Sequence, residues 1–522
     1  MEYFDKGVNP MNAVRATRAI DALLRFAIQK RLISSEDKLY AQNLLLDIMK
    51  MDAPAECEME AGEVPETATS ILNELDECAV EANLIPDSQG YRDLLNTRLM
   101  GAVTPSPYEV RATFDWLMST EGPEAATGWF YEMCRASDYI RVDHIAKNVR
   151  FFAPSPAGEL EITINLSKPE KDPRDIIAQR NAPQVGYPKC MLCAENPGYA
   201  GRLNFPGRQN HRMVPLTLDG EKWYLQYSPY LYYPEHCIVL NSVHTPMKHT
   251  PATYHRLFDF VDQFPHFFLG ANADLPIVGG SILSHDHFQG GHYSFPMDKA
   301  KPLIALNAPE KRISACIIDW PMSCVRLMAG NRDLLIQAAV DMLNAWRAYS
   351  DPELGIYAQT DAPHNAITPV LRKQDGLYRL DLVLRNNRTS PEHPLGIFHP
   401  HASLHHIKKE NIGLIEVMGL FILPGRLLGE LDALSGYLTG ERDIAQRPAE
   451  DSPLYKHYEW IVELAEKNGT HLDAQQAQSV LRAALADKCA QVLSDAGVYK
   501  QNDQGRAGML RFLATLGYTK KD

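Results

Sequence analysis

The stretch Ser284-His285-Asp286-His287-Phe288-Gln289-Gly290-Gly291 decides how this chain is read. Side chains at i, i+2 and i+4 of a strand leave the same face. A strand here would project His285, His287 and Gln289 together. Gly290 and Gly291 permit a ligand to approach the backbone closely. Upstream, Gly279-Gly280-Ser281 offers backbone N–H groups to a phosphate. Two imidazoles on one face suit a division of labour. One binds a metal and holds the strand end; the other, neutral, attacks phosphorus and gives a nucleotidyl-histidine. An amide at 289 donates to a phosphoryl oxygen without supplying a proton to the leaving group. That favours a long-lived intermediate and transfer to a second substrate over loss to water. Two readings compete: both histidines as ligands of one hydrolytic metal, or each as an ordinary polar residue satisfied by its surroundings.

Working outward, Cys190 and Cys193 stand three apart. Two thiolates on a tight turn can face one Zn²⁺. A redox dithiol is the alternative, but Tyr187-Pro188-Lys189 and Asn196-Pro197 mark a loop, not a strand entering a helix. Further ligands are at hand in His244, which ends the strand-like run HCIVLNSVH, and in the His285/His287 pair.

The 522 residues are enough for two to four domains. With 45% hydrophobic and 22% charged residues, the chain has material for a sizeable core. A formal charge of −13 argues against nucleic acid as the main partner. It leaves open a phosphorylated small molecule, which local groups hold. No signal-like start and no apolar run of about 18 residues is seen, so neither export nor a membrane span is expected. Nine cysteines, most of them isolated, fit reduced thiols in the cytoplasm.

The texture is helical to about Ser137, with Ile20, Leu23, Ala27 and Ile28 at helical spacing. From Phe151, alternation signals strands, and WYLQYSPYLYY and HCIVLNSVH continue them. Ala338–Tyr349 reads as helix and Leu377–Arg385 as strand. The tail from Val480 to Leu493 is helical, with Gly497 as its stop.

PYLYYPEHCIVLNSVH followed by SHDHFQGG resembles the histidine-triad superfamily. The form His-x-His-x-Gln looks like its galactose-1-phosphate uridylyltransferase branch. HNAITPVLR, LDLVLRNNRTSPEHPLGIFHPH and HHIKKENIGLIEVMGLFILPGRL are similar to the bacterial second class of that family. The resemblance covers roughly residues 150–430. It implies an α+β fold of two histidine-triad-like halves, each on an antiparallel sheet, between helical extensions. The divisions are 1–150, 151–300, 301–430 and 431–522. It also implies a ping-pong reaction in galactose metabolism, the Leloir pathway. UDP-glucose uridylylates the enzyme, and galactose 1-phosphate then takes the uridylyl group.

By the same resemblance, His287 is the nucleophile and Gln289 the phosphate-binding amide. Cys190, Cys193, His244 and His285 form a structural zinc set. Asn210 and Arg212 lie where nucleotide contacts are placed, Asn272, Gly280 and Ser281 near the phosphates, and Glu416 near the hexose, one position out of register. A homodimer is implied too. The better-known class carries a second metal on a His-x-His strand of its second half. Here His399 and His401 could match that pair; alternatively LDLVLR matches the strand, which puts Asp381 and Val383 at the histidine positions and abolishes the site. Two rival functions remain. One is a histidine-triad nucleotide hydrolase or dinucleoside phosphorylase; the other is a non-catalytic zinc-stapled nucleotide-binding protein.

Overall fold

The computed structural model describes residues 13–58, 62–167 and 185–521. Seven helices come first: α1 (Ala13–Gln29), α2 (Lys38–Ile48), α3 (Thr69–Glu81), α4 (Gln89–Ala102), α5 (Pro107–Thr120), α6 (Pro123–Ala136) and α7 (Val142–Ile145). Their cause is local. In α1, Ile20, Leu23, Leu24 and Ala27 fall on one buried stripe. At the start of α5, the Ser106 hydroxyl accepts from the Glu109 N–H while the Glu109 carboxylate caps the Ser106 N–H.

A hairpin follows, β1 (Val149–Ser155) and β2 (Gly158–Asn165). Next come β3 (Val214–Leu218), β4 (Glu221–Tyr227), β5 (Cys237–Asn241), α8 (Pro251–Gln263), β6 (Phe268–Gly270) and β7 (His287–Gly291). The pattern then repeats as β8 (Pro302–Asn307), β9 (Ser314–Ile318), β10 (Cys324–Ala329), α9 (Arg332–Ala348), β11 (Asn365–Gln374) and β12 (Leu377–Asn386). The chain ends with α10 (Leu414–Val417), β13 (Leu420–Pro424), α11 (Arg426–Thr439), α12 (Tyr458–Asn468), α13 (Ala474–Ala496), α14 (Asp503–Ala514) and β14 (Thr519–Lys520).

Both halves thus run strand, strand, strand, helix, strand, strand. Their spatial orders also agree: β3-β4-β5-β7-β6 and β8-β9-β10-β12-β11. The α+β class and the two halves are as expected. The halves do not, however, keep separate sheets. β6 and β11 pair antiparallel, with Gly270 opposite Val370, and fuse them into one eleven-stranded antiparallel sheet. The physical reason is that each half alone would present an edge of unpaired N–H and C=O groups, and the two edges satisfy each other. The β1–β2 hairpin does not join the first half's strands. It pairs with β13, parallel to β2, in a small sheet of three.

Alternation along the strands sorts the side chains by face. Val239, Leu269, Phe288, Leu371 and Leu382 enter the larger core, under the N-terminal helices, α8, α9 and α14. Phe268, Val370 and Val383 enter a second core with β1, β2 and α11 to α13. His287 and Gln289 alternate with Phe288, so they leave the sheet on this second face.

β12 holds in its half the place that β7 holds in the first. It carries Asp381 and Val383 on the same face as His287 and Gln289, so the topology favours the second of the two alignments. Val383 is core. Asp381 is 1% exposed and accepts from Arg326 Nε and Nη2 at 2.7 and 3.0 Å. His399 and His401 lie in the loop after β12, and each has a ring nitrogen turned to a backbone carbonyl, that of Pro400 or Ile397. Removing one partner of a buried ion pair leaves the other uncompensated, at a cost of about 3–5 kcal/mol. Asp381→Ala is therefore expected to lower the unfolding free energy, measured by denaturant titration, by that amount. A shift worth under about 1 kcal/mol, the level of an exposed pair, would show that Arg326 finds water or another anion.

Candidate active site and metal centre

The strand β7 begins at His287; His285 sits in the bend just before it. The expectation that both histidines lie in the strand is corrected by that one step. Asp286 between them points elsewhere, toward Arg256 at 3.5 Å, while its N–H donates to the Thr245 carbonyl.

His285 meets the cysteine pair. Its Nδ1 lies 3.3 Å from Cys190 Sγ and 3.9 Å from Cys193 Sγ. The two sulfurs are 3.6 Å apart, and His244 Nδ1 is 3.2 Å from Cys193 Sγ. The four donor atoms all lie within 4.8 Å of one another. Ligand atoms around a tetrahedral metal, with sulfur at about 2.3 Å and nitrogen at about 2.1 Å, stand roughly 3.3–3.8 Å apart. The cluster fits. Burial pushes the Cys190 thiol up to about 11, so that thiol would keep its proton unless a cation offset the thiolate charge. His285 Nε2 is 2.8 Å from the Asn241 carbonyl. That carbonyl can only accept, so Nε2 carries the proton and Nδ1 presents its lone pair to the cluster. These four residues could hold a metal ion.

His287 is oriented from the same residue. Its Nδ1 donates to the His285 carbonyl at 2.8 Å, which leaves Nε2 with a lone pair. Burial pulls its pKa down to about 4, so the ring is neutral at ordinary pH. On the same face, Gln289 lines a cleft of about 1270 Å³. Asn272, Gly279, Gly280, Ser281 and Glu416 line it too, so these expected residues converge. Asn272 Oδ1 accepts from the Leu414 N–H at 2.8 Å, tying the glycine loop to the opposite wall. A Cβ on Gly280 would stand 2.6 Å from Asn272 Nδ2, and one on Gly291 (φ +148°) 2.5 Å from the Glu235 carbonyl. Both close approaches need glycine.

Two sequence profiles match the chain. One, described as the N-terminal domain of galactose-1-phosphate uridyl transferase, covers residues 32–246, and the other, its C-terminal domain, covers 260–435. A galactose-1-phosphate uridylyltransferase of Caldanaerobacter subterraneus subsp. tengcongensis is 49% identical over 514 residues, 96% of this chain and 98% of that protein. Proteins of the same name from Halalkalibacterium halodurans (48% over 501 residues; 95% and 98%) and Bacillus subtilis (45% over 503 residues; 95% and 97%) follow. The chain belongs to the galactose-1-phosphate uridyl transferase family. It is thereby a nucleotidyltransferase. Among solved structures, a yeast Ap4A phosphorylase is matched at a TM-score of 0.31 and 14% identity, over 56% of this chain and 89% of that one, too slight a likeness to bear on the fold.

In this uridyl transferase fold, Asn210 and Arg212 take a place away from the cleft. Asn210 Nδ2 donates to the Ser137 carbonyl at 2.9 Å. Arg212 donates to the carbonyls of Thr104, Pro105, Gln209 and His211, and so clamps the segment after the cysteines to the turn between α4 and α5. Lys408 also lines the cleft, although no motif in the sequence marks it. It is 5% exposed, and its Nζ donates to Glu416 Oε1 at 3.1 Å. Burial opposes its charge, but Glu416 and Glu410 outweigh that and hold its pKa above the ordinary value. The run IKKENIG looks like a solvated charge cluster; only α10 folding back over it shows which lysine turns inward. No helix among the described residues is long and apolar enough to cross a membrane.

Proposed function

We propose that the chain catalyses ping-pong transfer of UMP from UDP-glucose to galactose 1-phosphate through a uridylyl group on His287. The observation that carries this is the arrangement of His287 itself: Nδ1 held by the chain's own carbonyl, Nε2 free of any bond to a described residue, and Gln289 beside it on the cleft. Nε2 attacks the α-phosphorus and the bond to glucose 1-phosphate breaks. That leaving group departs as a phosphate monoester and needs no proton from the enzyme. A phosphate oxygen of galactose 1-phosphate then attacks the same phosphorus, the P–N bond breaks, and His287 returns neutral. Gln289 and the N–H groups of Gly279, Gly280 and Ser281 meet the charge on the phosphoryl oxygens. Asn272 steadies that loop, and Glu416, paired with Lys408, faces the hexose. We assign Asn210 and Arg212 to holding the loop, not to the nucleotide.

Zn²⁺ suits the two-sulfur, two-nitrogen set. Cys190, Cys193, His244 and His285 would hold it. Bound there, it would offset the thiolate charge and fix His285, with no ligand position left for substrate. Buried unpaired cysteines such as Cys78, Cys134 and Cys489 accord with the cytoplasm.

The test uses UDP-glucose labelled in the α-phosphate. Label is expected on the protein after quenching, stable in water, and discharged by galactose 1-phosphate as UDP-galactose. No label on the wild type would sink the covalent route. Discharge by water alone would favour the nucleotide hydrolase.

A further inference from the structure

One buried histidine beside the cleft has no task in the reaction above. Ile238 of β5 stands directly opposite Gln289 of β7. His236, two residues earlier, is therefore its diagonal neighbour on the same face. Its ring packs against Tyr232 and Tyr233, with centroids 5.5 and 4.6 Å away, and it is 3% exposed. The backbone is pinned as well, since the His236 carbonyl accepts from the Ser228 N–H at 2.9 Å. The polar groups that act on the ring are the Gln289 side chain, on the same face by the strand register, and the Tyr230 backbone. Neither ring nitrogen makes a close, well-aligned hydrogen bond, to these two groups or to any other described one. Burying two imidazole nitrogens for packing alone is unfavourable; a phenylalanine would fill the stack without that cost.

A neutral imidazole has one N–H and one lone pair. Tyr230 offers a carbonyl, which can only accept, so it takes the N–H. The lone pair is left for Gln289, and an amide meets a lone pair with its Nε2–H, not its oxygen. We propose that His236 is the positioning residue for Gln289: it accepts one Nε2–H and thereby fixes the amide so that the second Nε2–H, and not the carbonyl, is offered to the phosphoryl oxygen. Without it, the amide is free to turn its oxygen toward the phosphate, where two acceptors repel. This inference rests on Gln289 acting at the phosphoryl group.

The experiment uses the full chain, with His236→Phe, His236→Asn, His236→Gln, Gln289→Ala and the His236→Phe/Gln289→Ala double variant. His236→Phe keeps the stack and removes both nitrogens. It is expected to lower kcat about 10- to 100-fold, the range for loss of a partner that orients a reacting group, with KM for UDP-glucose nearly unchanged. One of the two amide variants, able to accept as the ring does, is expected to recover most of the rate. In the Gln289→Ala background, His236→Phe should cost nothing further, because the group it positions is gone. Additive losses, or a wild-type kcat in His236→Phe, would overturn the proposal; if His236→Phe fails to fold, the same cycle run with the amide variants decides it. Failure of the reaction reading shows separately, as absence of label on the wild type.

Discussion

A His287→Gly variant is expected to take no label from UDP-glucose and to lose at least about 10⁴-fold in turnover, the scale on which removing a nucleophile acts. The argument is one of geometry. Nδ1 is committed to the His285 carbonyl, so the one lone pair this ring can offer is on Nε2. No other described imidazole stands on β7, and the neighbouring His285 has both nitrogens engaged, one toward the cysteines and one at Asn241. Neither the strand nor the bend before it thus offers a substitute nucleophile among the described residues. The fold is expected to survive. The strand already carries Gly290 and Gly291 at its far end, and its pairing to β5 runs through the backbone. Circular dichroism and metal content close to wild type, with no covalent label, are the expected results. Label retained at another residue would move the reaction elsewhere.

The site was legible in the sequence to the extent that it is built from a strand. Alternation fixes which of His285, Asp286, His287, Phe288 and Gln289 share a face without knowledge of the rest, and the structure keeps that order. The metal-type ligands were legible in part: spacing marked the Cys190/Cys193 pair and left His244, His285 and His287 as candidates, and the family resemblance chose among them. The fusion of the two halves was not legible. β6 is three residues long, and nothing in Phe268-Leu269-Gly270 shows that its free edge will meet β11. The pairing of β2 with β13 was equally hidden, since it joins segments more than 250 residues apart in sequence. Among the side chains, Arg212 shows the limit most clearly. A loop arginine reads as a ligand contact or a solvated charge, and only the docked turn between α4 and α5 supplies the carbonyls that claim it. Lys408 is the converse case, a lysine in a charged run that burial and Glu416 bring into the cleft.

The second large effect is expected at Cys193. Its sulfur lies 3.2 Å from His244 Nδ1, 3.6 Å from Cys190 Sγ and 3.9 Å from His285 Nδ1, so it touches every other member of the cluster. The surrounding turn does not depend on that sulfur alone, because Asn196 Nδ2 donates to the carbonyls of both cysteines. Cys193→Ala therefore removes a ligand and leaves the turn standing. Metal content should fall from one ion per chain to near zero. Turnover should fall with it, although no ligand touches the substrate. The route is short. The metal would hold His285, His285 presents its carbonyl to His287 Nδ1, and that bond aims Nε2 at phosphorus. Losing even an outer partner of a metal site costs 10- to 100-fold, so losing a ligand that also anchors the nucleophile should cost at least about 100-fold. Elemental analysis beside the rate of uridylyl-enzyme formation checks both parts, and removal of metal from the wild type by a chelator should reproduce the result. Full labelling in metal-free protein would show that Asn241 alone holds His285, and that the cluster serves stability without supporting the attack.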